Sequence, residues 1–572
     1  MVPRRSGANS AVGFPTSMTI DPTAPEVPVK AKKRPAGFAV LVAAGILLTR
    51  ISGFVREKVF AHFLGNSDAA GIYRAAIRIP NILQNLFGEG VLSASFIPVY
   101  AKLLAENDEE TAGRVAGIVA SLLALVMVVL VLIGVLLTPW LLIAIAPGYK
   151  GEIRELTITV VRIMWPGIGL LVLSAWCLGI LNSHRKFFLS YVAPVFMNIV
   201  MIATLVIFGG RTNDRGLVVI AAWGTVVGAF AQFGIQIPAV FRYAKHLRFA
   251  IDMSLAPVRE VIRNFTPVVI GRGVVQLSGY IDNLLATLLG TAAVSALSYA
   301  QIVSMLPISL FGMSVAAAEL PQMSGIIGTP EEVAASLRKR LDRGLRQISF
   351  FVVPTVVAFI AIGNVIVAAL YQGGRFQASD TLLVWYILIG STVGLLAITL
   401  GRLYSSAFYA LRDTKTPLRF AMMRVTLTAA LGWIFAIPLR PLLFRGLQLA
   451  HIPLPVVGNG YVPLGAIALT ATAGIAGWLE FLLLRHFLAR RIGAVRIQAS
   501  YLLKLWGSSV FAGIAGAACN LYLVPQIPLP RFFPHIAIGI IVCGGFGVVY
   551  FAATIALGVP EARATLQRFT GR

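Results

Sequence analysis

The sequence predicts an all-α polytopic membrane protein, and three observations carry that prediction. Of 572 residues, 58% are hydrophobic and only 12% charged, about half the charged share of a soluble globular chain. The apolar residues gather into long runs, and mean hydropathy is +0.83. Lys and Arg outnumber Asp and Glu by 48 to 23, giving a net charge of +25, and these cations recur in alternate connections between the runs. A water-soluble chain splits into several modest cores instead of growing one large enough to hide this much apolar surface. The same composition excludes a disordered, collagen-like or disulfide-stapled secreted chain.

Residues 1–36 are polar, rich in Pro, Ala and Lys, and lack the apolar centre of a signal peptide. They read as a disordered cytoplasmic tail, with Lys30, Lys32, Lys33 and Arg34 set to meet anionic head groups before the first span. A hydrocarbon layer of ~30 Å needs about 20 apolar helical residues. Fourteen runs qualify: 37–63, 69–104, 114–146, 155–181, 188–209, 217–241, 261–289, 293–327, 348–371, 380–411, 416–439, 462–488, 501–524 and 534–558. Pro80, Gly88 and Gly90 interrupt the second, and Pro307 and Gly312 the eighth. Both are expected to bend, because proline removes a backbone bond and crowds the preceding turn.

Loop charges then set sidedness. With the N-terminus inside, the inner connections hold clusters such as Arg185-Lys186, Arg338 to Arg346, Arg412 with Lys415, and Arg490-Arg491, while the outer ones hold few cations. Both termini are therefore expected in the cytoplasm. The bias explains most of the net charge without nucleic acid, and no zinc-finger or aromatic-basic pattern suggests that partner. Cys177, Cys519 and Cys543 stand singly in apolar runs, which argues against disulfides or a zinc site and reads as small core hydrophobes, not reactive thiols.

Charges inside spans are costly and face a cavity or a partner. The first span carries Arg50, Arg56 and Glu57; Arg50 and Glu57 are seven residues apart and share a face. Asp68 opens the second span, which carries Arg74 and Arg78 at i,i+4 and then Glu89. Two cations on one helix face repel unless a carboxylate or an anion lies between or opposite them. The cluster has excess positive charge, which implies a hydrated cavity for a large anion; guanidinium forks grip phosphate oxygens in two places. Span seven adds Arg272 and Asp282, close to one face. No Walker, HExxH or GxSxG motif is present, and the acidic run Glu106 to Glu110 reads as a connector that starts a helix. A transporter, not an enzyme, is the expected class, with no metal and no cofactor.

Several segments carry a resemblance. Arg50-Ile51-Ser52-Gly53-Phe54-Val55-Arg56-Glu57, Arg78-Ile79-Pro80-Asn81, Phe87-Gly88-Glu89-Gly90, Tyr371-Gln372-Gly373-Gly374-Arg375-Phe376 and Phe408 to Pro417 resemble signatures of the MurJ/MviN family, within the multidrug/oligosaccharidyl-lipid/polysaccharide exporter superfamily. The resemblance implies flipping of the undecaprenyl-pyrophosphate-linked peptidoglycan precursor lipid II from the inner to the outer leaflet of the bacterial inner membrane. It also implies two six-helix lobes in a V, residues 37–250 and 251–490, with spans 13 and 14 and a cytoplasmic tail in 491–572. A cationic central cavity would bind the head group during alternating access. Arg50, Arg56, Glu57, Asp68, Arg78 and Glu89 match the family's charged sites.

Where many members carry an arginine in span eight after Tyr-Ala, this chain has Tyr299-Ala300-Gln301-Ile302. Arg272 is the candidate to supply the missing charge, with pairing to Asp282 as the alternative. Lipid II or a related polyprenyl-pyrophosphate glycan is the expected substrate, with membrane lipids and the peptidoglycan synthesis machinery as further partners. Coupling to the membrane potential and coupling to an ion gradient both fit the sequence. The rival readings are a flippase for another polyprenyl-linked glycan, a cation-coupled drug exporter of the same superfamily and, from a different class, a membrane-embedded glycan polymerase or ligase; an excess of arginine argues against the exporter.

Overall fold

The computed structural model describes residues 36–449, 462–528, 530 and 533–570; the side chains of 36–43, 270–279, 447–448, 462–463 and 568–570 lie outside the description. The expected N-terminal tail therefore falls outside the described residues. The first half of the chain forms α1 (Ala36–Leu64), α2 (Asp68–Phe87), α3 (Glu89–Ala105), α4 (Glu109–Ile145), α5 (Gly151–Ser183), α6 (Phe187–Phe208), α7 (Asp214–Gly234) and α8 (Ile237–Tyr243). The second half continues with α9 (Ala256–Leu288), α10 (Thr291–Pro307), α11 (Ser314–Ser324), α12 (Pro330–Ala361), α13 (Gly363–Tyr371), α14 (Ala378–Ala410) and α15 (Lys415–Ala436). It ends with α16 (Arg440–Leu449), α17 (Val462–Ile492), α18 (Ala499–Ala518), α19 (Pro534–Ala556) and α20 (Pro560–Thr570). Among the described residues there is no strand, only a single bridge between Gly373 and Phe376.

Twelve helical stretches are long and apolar enough to cross a membrane among the described residues. The helices α1 and α9, of 29 and 33 residues, occupy the positions of the first and seventh expected spans. The two bends appear where proline and glycine stand. The second span divides at Gly88 into α2 and α3, with Pro80 inside α2. The eighth passes from Pro307 into a π-helical turn, Ile308–Met313, before α11 resumes. Helix starts are capped locally. Asp108 accepts from the Thr111 N–H at 3.0 Å to begin α4, so part of the acidic run is helix-start charge. Thr329 and Glu332 close a reciprocal capping box on α12. All three cysteines are free, but only Cys177 is buried; Cys543 is exposed on α19, so the reading of all three as core residues fails there.

Without a hydrophobic drive between helices in lipid, close backbone approach through small residues does the packing. A Cβ on Gly394 of α14 would sit 2.3 Å from the Gly474 Cα of α17. The two halves meet the same way at the end where α1 gives way to α2. A Cβ on Gly71 would fall 2.3 Å from the Thr291 carbonyl oxygen, and one on Gly148 would fall 1.9 Å from that of Thr287. Asp68 binds the Thr291 hydroxyl at the same end. Gly148→Ala is expected to lower the stability of the detergent-purified protein by about 1–3 kcal/mol, the range for forced overpacking. Gly210→Ala, where an added Cβ meets nothing within 4 Å, should change it by no more than about 0.5 kcal/mol. Thermal unfolding of both variants checks the contrast.

Candidate functional site: an arginine-lined cavity between the halves

A cavity of about 860 Å³ opens between α1, α2, α3, α5, α6 and α7 of the first half and α10 of the second, with Arg50, Arg56, Arg74 and Arg78 in its walls. Against these four cations stand two carboxylates, Glu57 and Glu89. The cluster forms where α1, which packs along α6, and α2, which packs along α5 and α10, both turn charged positions toward the cavity. Glu57 is buried, at 5% exposure, and both neighbouring guanidinium groups use it. Arg56 donates to Glu57 Oε1 at 2.8 Å, and Arg74 pairs with Glu57 Oε2. Arg74 is further enclosed by aromatic rings, its guanidinium carbon lying 4.3 Å from the Phe60 ring centroid and 5.1 Å from that of Tyr299.

Arg78 is held differently. Its Nη2 donates to Gln301 Oε1 at 2.8 Å and to Ser298 Oγ at 3.5 Å, both on α10. These neutral acceptors engage Nη2 without cancelling the charge. Arg56 also donates to Asn198 Oδ1 on α6 at 3.0 Å, and Asn198 Nδ2 donates to Ser52 Oγ at 2.8 Å. Arg50 lines the cavity, is exposed, and makes no ion pair among the described residues. Glu57 therefore neutralises part of the cluster, while Arg50 and Arg78 keep their charge.

The nine residues singled out in the sequence divide by position. Arg50, Arg56, Glu57, Arg74, Arg78 and Glu89 line one cavity. Asp68 does not: it starts α2 away from the cavity and binds Thr291 across the halves. Asp282 does not line it either. It stands on α9 with Oδ1 buried and unpartnered, within electrostatic reach of Arg424 and Arg78. Both placements have one cause: a charge within an apolar run fixes depth, whereas the direction the helix turns it depends on packing. Arg272 lies among the side chains outside the described residues. Sequence reading missed Ser298 and Asn198, whose neutral polarity carries no signal. Gln301 was visible only as a departure from the family pattern. No group of three or more His, Cys, Asp or Glu arranged to hold a metal occurs among the described residues.

Comparison with known proteins identifies the scaffold. The family model "Lipid II flippase MurJ" matches residues 60–542. The chain belongs to the MurJ family. A Rhizobium tropici protein named probable lipid II flippase MurJ is 31% identical over 72% of this chain and 77% of its own length. A Burkholderia cenocepacia lipid II flippase MurJ is 29% identical over 69% and 78%. A solved lipid II flippase MurJ in an inward closed conformation shares the fold with a TM-score of 0.67 at 23% identity, covering 90% of this chain and all of that one. An inward-facing MATE transporter of the MOP superfamily does so at 0.58 and 18%, over 79% and 98%.

In this MurJ-family chain, the two classes of arginine predict opposite responses. Glu57→Gln strands Arg74 without its counter-charge and is expected to destabilise the protein by about 3–5 kcal/mol, as breaking a buried pair does. Arg50→Ala removes an unpaired side chain and should shift stability by no more than about 0.5 kcal/mol. Parallel thermal melts of the two variants measure the difference.

Proposed function

We propose that this chain carries lipid II, a polyprenyl-pyrophosphate-linked peptidoglycan precursor, from the inner to the outer leaflet of the bacterial inner membrane. The observation that carries this reading is a cavity whose arginines exceed its carboxylates, in a chain of the MurJ family. A pyrophosphate spreads its negative charge over several oxygens, and planar guanidinium forks bind such oxygens bidentately. Arg50 and Arg78 retain the charge to do so. Asn81, Gln84 and Gln232 in the same walls offer neutral hydrogen-bonding groups suited to sugar hydroxyls. The polyprenyl tail stays in lipid, so no charged group crosses bare hydrocarbon. A drug exporter drawing in organic cations would need the opposite sign of charge.

Alternating access supplies the movement. The halves are joined at the end where Gly71 meets Thr291 and Gly148 meets Thr287. With both termini in the cytoplasm, as the basic inner loops favour, that end faces outward. Transport requires these contacts to part while the opposite end closes, a shift between two populations that a ligand biases by differential affinity. The reading requires no cofactor. Moving one elementary charge across the whole membrane potential is worth about 2.3 kcal/mol per 100 mV, so the part of that field which the unpaired cavity charges cross biases the return of the empty carrier. Delivery to the peptidoglycan synthesis machinery completes the role.

The test is complementation of a bacterium depleted of its own lipid II flippase, paired with leaflet exchange of labelled lipid II in proteoliposomes. The chain should restore growth and exchange, and Arg50→Ala should abolish both. Arg50→Lys should recover only part, because a point charge replaces a fork. Growth that Arg50→Ala supports as well as the parent would exclude the cavity as the binding site; lipid II that is polymerised instead of exchanged would make the chain an enzyme.

A further inference from the structure

The segment Tyr371-Gln372-Gly373-Gly374-Arg375-Phe376 belongs to no helix beyond Tyr371 and has no part in the cavity walls. It is nonetheless tied to both halves of the chain. Gly373 and Phe376 bridge each other, Gly373 N–H to Phe376 O at 3.0 Å and Phe376 N–H to Gly373 O at 3.2 Å. Gly374 takes φ +60, and a Cβ there would stand 2.4 Å from the His62 carbonyl oxygen, so the turn lies flush on the end of α1. The Arg375 N–H donates to that same His62 oxygen at 2.9 Å. The Arg375 side chain pairs with Asp214 at the start of α7. All three contacts reach from the second half to the first, at the end where α1 gives way to α2.

The turn is anchored inward by an aromatic knot. Phe376 is 1% exposed and packs edge-on to Tyr299 at 5.1 Å, while Tyr371 lies 4.8 Å from the same ring. Tyr299 in turn donates to the Gly65 carbonyl oxygen at 2.9 Å and lies beneath the Arg74 guanidinium. The knot thus joins the turn to the Glu57–Arg74 pair in the cavity wall through one side chain.

We propose that the 371–376 turn is a latch that holds the outer end of the cavity shut, and that Tyr299 couples it to the occupancy of the cavity. The assignment of this end as outer rests on the function and sidedness proposed above. An anion that draws Arg74 away from Glu57 also draws it off the Tyr299 ring, which loosens the Gly65 bond and the seat of Phe376. The Arg375–Asp214 pair and the Gly374–His62 contact are then free to part. The ion pair is half exposed, at 45% and 48%, so it is weak enough to break within a transport cycle. Closure at the turn and anion binding in the cavity become alternatives for the same arginine.

The experiment places a reporter cysteine at Ile302, which lines the cavity, and labels it in spheroplasts with a membrane-impermeant maleimide, subtracting the labelling of the native cysteines in the parent. Arg375→Glu should raise the labelling rate about two- to fivefold, the range a half-exposed ion pair supports. The swapped pair Arg375→Glu with Asp214→Arg should return it to the parental rate. Tyr299→Phe, which deletes the bond to Gly65, should raise it as well. Parental labelling in Arg375→Glu, or a swapped pair that labels as fast as the single variant, would overturn the latch; parental labelling in Tyr299→Phe would overturn the coupling. If Arg375→Glu does not accumulate, Arg375→Gln is read by the same criteria. The readout needs no substrate, so a latch that behaves as expected in a chain that fails to exchange lipid II would refute the proposed cargo and leave the latch standing.

Discussion

Four guanidinium groups in the middle of a membrane protein present a problem of hydration before they present a binding site. Each carries a charge that hydrocarbon cannot solvate, and each must find acceptors. Glu57 solves part of it: one buried carboxylate is shared between Arg56 and Arg74, and the rings of Phe60 and Tyr299 enclose Arg74 further. Because that carboxylate is already used twice, it cannot also neutralise Arg50 and Arg78. The surplus charge that a pyrophosphate would meet is therefore a consequence of stoichiometry, four cations to two carboxylates, and of where the carboxylates stand.

The treatment of Arg78 shows how a charge is kept usable. A carboxylate partner would hold the group in place and cancel it. Gln301 and Ser298 hold it in place with dipoles, so the orientation is fixed and the charge survives. The partners come from α10, across the boundary between the halves. Movement of the halves thus changes the surroundings of Arg78 at the same time as it opens or closes the cavity. Binding strength and access are linked through one hydrogen-bonded contact, and a carrier that must bind at one face and release at the other needs such a linkage.

Much of this was legible in the sequence, and the reasons are physical. Long apolar runs specify spans because a bilayer has one thickness, and twelve stretches among the described residues are long and apolar enough to cross one, although the expected runs at 217–241 and 348–371 are each broken between two helices. The bends at Gly88 and Pro307 followed from backbone chemistry. The arginine cluster stood out because charge in an apolar run is rare. Direction was not legible. Asp68 and Asp282 carry the same charge as Glu57 and Glu89, but helix packing turns them elsewhere. Neutral partners such as Asn198 leave no mark in composition, and the tight approaches at Gly71 and Gly148 look like any other glycine in a glycine-rich chain.

The two kinds of contact at this end of the bundle also explain why a protein of this kind needs both polar and apolar closure. Glycine-mediated backbone approach between the halves at Gly71 and Gly148 is strong only when the surfaces meet fully, since dispersion falls away with a gap of less than an ångström. It therefore separates all at once. Ion pairs and hydrogen bonds, such as Arg375 with Asp214 and Asp68 with Thr291, act over a longer range and tolerate water. Joined at one end of the cavity, the first kind makes closure decisive and the second keeps the parted surfaces in register for return. An interface built from only one of them would either drift open or fail to reopen.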